Sequence, residues 1–208
     1  MEVRLLPPEQ EHGAESVGRR SVGREPNSLP RRSPNVPASV LVPDFWVVTP
    51  TIRAYEQEDR VDVVDLSLRA WAPVFDSMRE VMGREVFDLH HRPDWRARQK
   101  RDVESVLADE KATVWVAEEE GVVVGFAAAI LRADEQVGEL WMMAVDPDHQ
   151  NRGLGTELTN VATEWMREEG MTHAVISTGG DPGHAPARRT YEKAGYAPFP
   201  GVNYFKAL

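Results

Sequence analysis

The chain has 208 residues, contains no cysteine and carries a formal net charge of −10. The length suits one domain with an extension, and the lack of cysteine excludes disulfides, thiolate metal sites and a cysteine nucleophile. The acidic balance disfavours nucleic-acid partners, and no signal segment or apolar run of about 18 residues occurs, so we expect a cytoplasmic protein without membrane partners.

The first part of the chain, residues 1–44, differs in composition from the rest. Prolines and paired arginines recur through it, and no apolar periodicity of useful length is present. Such a composition buries too little apolar surface to offset the entropy of ordering. We therefore predict a disordered extension over residues 1–44 and a folded domain over residues 45–208. A regulatory tail and a merely tolerated extension both stay open as explanations.

The domain begins with a predicted strand and a group of helices. Residues 46–55 favour a strand that Pro50 restricts to an edge or bulge. Helical periodicity follows over residues 56–71, 74–82 and 95–108, and Pro73 is expected to interrupt the first helix. The connector, residues 83–93, is rich in aromatic and histidine residues, which favours a lid or specificity loop. His90 and His91 within it are poor chelating neighbours, so no metal site is predicted.

Strands and helices then alternate towards the end of the chain. Residues 111–118 and 122–131 form a predicted hairpin, in which Gly125 indicates a bulge or a close approach. The remaining predicted elements are a strand over 139–145, a helix over 154–170, a strand over 172–178, a helix from Pro186 to Gly195 and two short strands over 196–208. This order predicts an α+β fold, with a sheet of mixed direction and helices on both faces.

The turn between the 139–145 strand and the following helix reads Gln-Asn-Arg-Gly-Leu-Gly over residues 150–155. A helix that opens on glycines presents unpaired N–H groups and a positive dipole end, which together suit an anion. The Walker motif is absent, and Leu158 stands where a dinucleotide motif needs its third glycine. The pattern Q/R-x-x-G-x-G/A does fit. An ordinary strand–turn–helix with a glycine turn remains the alternative for this segment by itself.

A second motif follows at residues 187–196, which read Ala-Arg-Arg-Thr-Tyr-Glu-Lys-Ala-Gly-Tyr. It is similar to the pattern A-x-x-x-Y-x-K-x-G-F/Y. Together, the two motifs resemble those of the GNAT family of acyl-CoA-dependent N-acetyltransferases, over about residues 49–208. The resemblance implies the GNAT fold, which is a mixed, mostly antiparallel sheet with two splayed parallel central strands.

The resemblance also implies acetyl-CoA as cosubstrate and no metal. The pantetheine arm would lie between the strands that end near Val145 and Thr178, and would pair with the main chain of the first. The implied cofactor-binding residues are Met143, Ala144 and Val145 on the strand, and Gln150, Asn151, Arg152, Gly153, Leu154, Gly155 and Thr156 around the pyrophosphate.

Three residues are candidates for proton transfer under the resemblance. Tyr191 would protonate the departing thiolate, unless it only packs on the cofactor. Glu139 would be the general base, unless it is a solvated residue at the head of its strand. His184 stands where many family members have asparagine, and it could position the ligand, act as a base near neutral pH or cap its loop.

The predicted function is transfer of an acetyl group to a primary amine of a small molecule, peptide or protein, directly within a ternary complex. The rival prediction is a non-catalytic acyl-CoA sensor that keeps the same loop. A longer acyl donor stays open, because the small side chains of Ala127, Ala128 and Ala129 would permit it. A homodimer also stays open.

Overall fold

The computed structural model describes residues 49–208, which contain one sheet and five α-helices. The helices are α1 (Arg60–Met82), α2 (Arg84–His90), α3 (Trp95–Leu107), α4 (Leu154–Glu168) and α5 (Ala185–Lys193). The strands are β1 (Thr51–Ala54), β2 (Thr113–Glu119), β3 (Val122–Arg132), β4 (Val137–Val145) and β5 (His173–Ile176). The predicted extension over residues 1–44 and the start of the predicted first strand lie outside the described residues.

The sheet runs in the order β1-β2-β3-β4-β5, and only the β4–β5 pair is parallel. Alternate residues of β3 serve the two faces, as strand geometry requires. Phe126 and Ala128 pack with α1 and α3 on one face, while Ala127 and Ala129 pack with α4 on the other. The predicted α+β class, with a mixed, mostly antiparallel sheet and helices on both faces, is confirmed.

The β2–β3 hairpin follows the predicted pattern. Glu120 and Gly121 have φ angles of 53° and 81°, as a tight two-residue hairpin turn requires. The register shifts between Ala117 and Glu118, opposite the segment that contains Gly125. A Cβ on Gly125 would lie 3.1 Å from Leu158 Cδ1. The predicted bulge and the predicted close approach are therefore both present, and α4 can pack closely on β3.

Helix α1 runs without interruption through Pro73, so the prediction of two separate helices was wrong. An interior proline removes one helical hydrogen bond and costs about 3 kcal/mol. Buried side chains on both sides of Pro73 offset this cost. Val63 and Leu66 pack into the sheet cluster before it, and Phe75 joins an aromatic cluster after it. Tertiary packing thus overrides the local preference.

The connector over residues 83–93 was predicted as a lid or specificity loop, but most of it forms helix α2, so the prediction of a loop was wrong. Phe87 is 1% exposed and His91 is 5% exposed, so two of the side chains that suggested a lid or specificity loop are part of the core. Their spacing of four residues places both on one helical face, against Phe75 and Trp95. Burial lowers the pKa of the His91 imidazole. Within residues 49–208, no group of three or more side chains could hold a metal ion.

The two strands predicted over residues 196–208 are not formed, and β5 is the last strand of the sheet. Pro198 and Pro200 lack the N–H groups that a ladder needs. Phe199 and Tyr204 are 86% and 92% exposed, so the segment buries little apolar surface. In the part of the chain that is described, none of the helices has the length and apolar character needed to cross a membrane.

Candidate active site

The site lies where β4 and β5 diverge. Their parallel pairing joins Val137–Leu140 to His173–Ile176 and then stops, although β4 continues to Val145. At the same point β3 pairs Ala129 with Leu140 and Ala128 with Met142, so Trp141 bulges out of the ladder. A bulge bends and twists its strand. The predicted pair of splayed parallel strands is therefore present, and the end of β4 has no strand partner on its β5 side.

A cavity of about 390 Å³ lies beside the unpaired end of β4. The predicted cofactor residues that line it are Met143, Ala144, Val145, Gln150, Asn151, Gly153, Gly155 and Thr156. Helix α1 contributes Ala70, Trp71, Pro73 and Val74 to the lining as an apolar wall. Gly183 in the turn before α5, and Pro186 and Ala187 at the start of α5, also line the cavity. The volume lies in the range that holds part of a small ligand.

Residues 150–155, the anion loop, present main-chain donors to this cavity. Asn151 and Gly153 have left-handed φ angles of 62° and 93°, which curl the chain before α4 begins. The N–H groups of Thr156 and Glu157 are the first to bond back, both to Gly153 O. Within residues 49–208, the N–H groups from Asn151 to Gly155 donate to no protein acceptor. Such a cluster of unpaired donors at a helix N-terminus suits a phosphate.

Side chains of the anion loop are used to hold its shape. Gln150 donates from Nε2 to Val145 O at 3.0 Å, and Arg152 donates to Asp148 O at 2.8 Å. Leu154 is 4% exposed and packs into the core beneath α4. Of the predicted cofactor residues, only Arg152 and Leu154 do not line the cavity. Recognition of an anion here therefore falls to the main chain.

Gly155 is needed for close packing between two helices. A Cβ at this position would lie 3.3 Å from Thr190 Cγ2 on α5 and would also project towards the cavity that Gly155 lines. The glycine therefore keeps α4 close to α5 while leaving the N–H groups of the anion loop open to a ligand.

Tyr191 lies on α5, beside Thr190, which lines the cavity. Its ring packs against the cluster beneath α4, and it does not itself line the cavity. Burial, with a smaller contribution from Tyr196, raises the pKa of the Tyr191 hydroxyl to about 12. The phenol therefore stays protonated at physiological pH, as a proton donor must.

Glu139 lies on β4 before the bulge, paired with Ile130 and Val175, and does not line the cavity. Its Oε2 accepts from Arg132 Nη2 at 2.7 Å, and its side chain is 21% exposed. The structure thus places this candidate base in an ion pair that was not foreseen. Arg132 and Glu139 face each other across the β3–β4 connection. Their separation of seven residues is the sequence feature that could have predicted the ion pair.

His184 immediately precedes helix α5 and makes a hydrogen bond through Nδ1 to Asp181 Oδ1. Its side chain caps no helix end; the cap of this loop is Asp181, which accepts from Gly183 N at 3.0 Å. His184 occupies the N-cap position of α5 without a side-chain capping hydrogen bond, and its three predicted roles stay predictions. Burial acts to raise the pKa of Asp181, but hydrogen bonds from Ser77, His184 and Gly183 outweigh it, and the pKa is lower than usual.

Residues 75–196 match the acetyltransferase (GNAT) family, which is more than half of the 208 residues. The chain belongs to the GNAT family. The resemblance carried by the two motifs is thus confirmed.

Relatives of this GNAT chain include two proteins named mycothiol acetyltransferase. That of Streptomyces coelicolor is 28% identical over 138 residues, which cover 63% of this chain and 42% of the relative. That of Nocardia farcinica is 29% identical over 164 residues, or 74% of this chain and 53% of the relative. The chain therefore spans about half the length of the curated relatives it matches.

Solved structures share the fold of this GNAT domain. An aminoglycoside N-acetyltransferase in complex with CoA superposes with a TM-score of 0.54 at 18% identity, covering 76% of this chain and 94% of the other. The ribosomal-protein-S18-alanine N-acetyltransferase from Escherichia coli gives 0.51 at 20% identity, covering 70% and 76%. At these sequence identities the likeness shows a shared fold and nothing further.

Sequence reasoning missed an ionic network behind the anion loop of this GNAT domain. Asp146 was read only as a strand breaker, yet it is 8% exposed and accepts from Arg69 Nη2 at 2.8 Å. His149 contacts Asp146 Oδ1 at 3.5 Å and Glu119 Oε2 at 2.8 Å. Burial acts to raise the pKa of Asp146, but hydrogen bonds from Arg69, Asp148 N–H and His149 lower it overall. The network fixes the loop to α1 and to the β2–β3 hairpin.

Two basic residues at the cavity were also missed. Arg189 and Lys193 line it from α5 and are four positions apart, so they lie on the same face of the helix. They add positive charge to the lining of the cavity. Their helical spacing was the signal that could have pointed to them.

Proposed function

We propose that this chain is an N-acetyltransferase that moves an acetyl group from acetyl-CoA to a primary amine. The observation that carries the proposal is the anion loop, whose unpaired N–H groups open into the cavity between the diverging strands β4 and β5. Membership of the GNAT family and the CoA named in one structural neighbour support it. The chain matches only part of its curated relatives, so the activity is a proposal for the chain itself.

The cofactor would enter along the anion loop. Its pyrophosphate would accept from the N–H groups between Asn151 and Gly155, where the dipole of α4 adds a favourable field. Arg189 and Lys193 would face the phosphates from α5. The pantetheine arm would run along Met143, Ala144 and Val145, pairing with the strand edge that β5 leaves open. The residues present fit such a group through main-chain donors and two cations.

The reaction needs a neutral amine, a polarised thioester and a proton for the departing thiolate. A main-chain N–H at the end of β4 would polarise the carbonyl, as an oxyanion donor does. The amine nitrogen would attack the carbonyl carbon, the C–S bond would break, and the Tyr191 hydroxyl would supply the proton to sulfur. Glu139 and His184 are the candidates for removing the proton that the ammonium group must lose.

The acceptor is proposed to be a small molecule or a peptide. The neighbours and relatives carry names that include mycothiol, aminoglycosides and the alanine of a ribosomal protein, so fold and family leave the acceptor open. The α1 wall with Trp71, Pro73 and Val74 is apolar and would contact the carbon skeleton next to the amine. A net charge of −10 favours a cationic acceptor.

A longer acyl donor gains no support from the alanines of β3. Ala127, Ala128 and Ala129 are each 0% exposed and do not line the cavity. They pack between the sheet and its helices, so they create no space for an acyl chain.

The test pairs calorimetric binding of CoA with thiol release from acetyl-CoA across a panel of amines. CoA binding with thiol release for one class of amines would support the proposal and bound the acceptor. If CoA binds but no amine gives thiol release, the result would favour the rival function of a non-catalytic sensor. Failure to bind CoA would contradict both.

A further inference from the structure

The charged side chains at the cavity are all positive. Among the residues from 49 to 208 that line it, only Arg189 and Lys193 are charged, so no carboxylate faces a ligand there. The chain as a whole carries a formal net charge of −10, so this lining runs against the general composition. A concave site with charge of one sign concentrates ligands of the opposite sign. The cavity is therefore suited to an anionic group beside α5.

Neither of these cations is used to hold the fold. Within residues 49–208, Arg189 and Lys193 form no ion pair and no side-chain hydrogen bond. Their neighbour Arg188 differs, because it donates to Asp181 O at 2.9 Å and also to Gly179 O. The guanidinium of Arg188 is thus committed to the loop before α5. Arg189 and Lys193 remain free to bind a ligand.

The two cations lie to one side of the contact between α5 and α4. Helix α5 meets the first turn of α4 where the methyl group Cγ2 of Thr190 approaches Gly155. Thr190 Oγ1 donates to Pro186 O at 3.1 Å, so its hydroxyl hydrogen is already used. Successive residues of a helix are about 100° apart, which places Arg189 and Lys193 within about 40° of each other and about 60–100° from Thr190. They therefore flank the anion loop on a neighbouring stripe of α5.

This arrangement offers two separate places for negative charge. The unpaired main-chain N–H groups of residues 151–155, with the dipole of α4, suit one phosphate group. The guanidinium and ammonium groups on α5 suit a second group, and they suit a dianion best. CoA has two such groups, which are the pyrophosphate and the phosphate monoester on the 3′ oxygen of the ribose. A phosphate monoester carries a charge of about −1.5 to −2 at pH 7.

We infer that Arg189 and Lys193 bind the 3′-phosphate of CoA and make the site selective for acyl donors that carry this group. The inference rests on the proposed function and deepens it, because it assigns the anion loop and the two cations to different groups of the cofactor. Dephospho-CoA, and an acyl group on a phosphopantetheine arm without a nucleotide, would both be poor donors. Both cations are exposed, so solvent screens them and the selectivity is moderate.

The first test measures the Kd of CoA and of dephospho-CoA by calorimetry for the wild type and for Arg189→Met/Lys193→Met. Methionine is a good helix former with an unbranched side chain, so α5 should be retained. We expect the wild type to bind CoA about 10- to 30-fold more tightly than dephospho-CoA, and the double variant to bind the two within about threefold. The affinity for dephospho-CoA itself should change by about threefold or less between the two proteins.

The matched control is Arg84→Met/Arg167→Met, which removes the same charge from two exposed side chains that do not line the cavity. It should keep the wild-type preference for CoA. If the α5 double variant lost affinity for both ligands by the same factor, the cations would serve the pyrophosphate and the inference would be wrong. Equal wild-type affinity for the two ligands would contradict it as well. A wild type that binds neither ligand would count against the proposed function, and the inference would fall with it.

A second measurement uses the wild type and does not depend on the folding of a variant. In ³¹P NMR the 3′-phosphate of bound CoA gives a signal separate from the pyrophosphate, and a phosphate monoester titrates with a pKa of about 6. Two neighbouring cations favour the dianion, so this pKa should be lower in the complex than in free CoA. The preference for CoA over dephospho-CoA should also decrease at high salt. An unchanged pKa would show that the 3′-phosphate lies away from Arg189 and Lys193.

Discussion

At one end of the cavity, the loop end, a ligand meets main-chain N–H groups between Asn151 and Gly155. In another part of the lining, which we call the α1 end, it meets the side chains of Trp71 and Val74 and Gly183 of the loop that Asp181 holds. Main-chain donors are the same whatever side chains surround them, so the loop end can keep one cofactor through large changes of sequence. The α1 end depends on side-chain shape and charge, which explains why family membership leaves the acceptor open.

Among these substitutions, we expect Gly155→Val to cause the largest loss of CoA binding at the loop end. A branched side chain would meet Thr190 and project into the cavity, so the pyrophosphate could not reach the N–H groups. Losing three charge-assisted bonds of about 1.5 kcal/mol each would lower CoA affinity on the order of 1,000-fold. Calorimetry measures the change. Gly201→Val, where a Cβ meets nothing within 4 Å, is the control. Equal affinity for CoA in Gly155→Val would mean that the cofactor binds elsewhere.

Tyr191→Phe separates binding from chemistry. The ring can still pack, but no proton reaches sulfur, so kcat should fall about 100-fold while the Kd for CoA stays within about twofold. Because the pKa of Tyr191 is raised to about 12, absorbance titration should also lose its most alkaline tyrosine transition in this variant. If kcat is unchanged, the tyrosine only packs and the proton comes from another group.

Asp146→Asn weakens the attachment of the anion loop to α1. At pH 7 we expect the free energy of unfolding to fall by about 1–2 kcal/mol, because Arg69 and His149 lose a charged partner. The pKa of Asp146 is lowered in the folded state, so its stabilisation is present above the unfolded-state pKa and is lost as pH falls through the folded-state value. Urea unfolding should therefore show the two proteins converging in acid.

The control for that experiment is Asp148→Asn, whose side chain is exposed. Its free energy of unfolding should equal that of the wild type both at pH 7 and in acid. A difference between the wild type and Asp146→Asn that persists at the lowest pH would show that packing, rather than charge, is responsible.

Val74→Ala is the mildest change and acts at the α1 end. Shortening this side chain removes part of the apolar wall, and the KM for the acceptor should change by about threefold to tenfold. CoA affinity should stay constant, because the loop end is untouched. Val61→Ala, on the same helix at a position that is 67% exposed, is the control. A parallel loss of CoA affinity would show that the two ends are not separable.

The features that could be predicted from sequence are those whose determinants are close together in the chain. The anion loop, the hairpin turn at Glu120 and Gly121, and the end of α4 shortly before Gly170 each follow from a few adjacent residues. The contacts of Arg69 with Asp146 and of Ser77 with Asp181 join residues 77 and 104 positions apart, and no local pattern marks them.

The wrong predictions have a common physical cause. Pro73 and the aromatic connector before Pro93 were judged by local preference, which favours a break in the first case and a loop in the second. In the folded domain, Phe75, Phe87 and Trp95 bury one another, and this packing outweighs both preferences. The strands predicted after Tyr196 are absent for the opposite reason, because a segment whose apolar side chains stay exposed gains too little from packing to form a strand.

The position of the side-chain hydrogen bonds also bears on which part of the folded domain opens first. The side-chain bonds that shape the anion loop join residues four or five positions apart, whereas the bond from Ser77 to Asp181 spans 104. The two short-range bonds lie within one segment, whereas the Ser77–Asp181 bond joins two elements and breaks whenever they separate, so we expect it to open first. Amide hydrogen exchange should then be faster at Gly183 than at Thr156. A molecule opened in this way would, under the proposed function, still hold CoA while having no site for an amine.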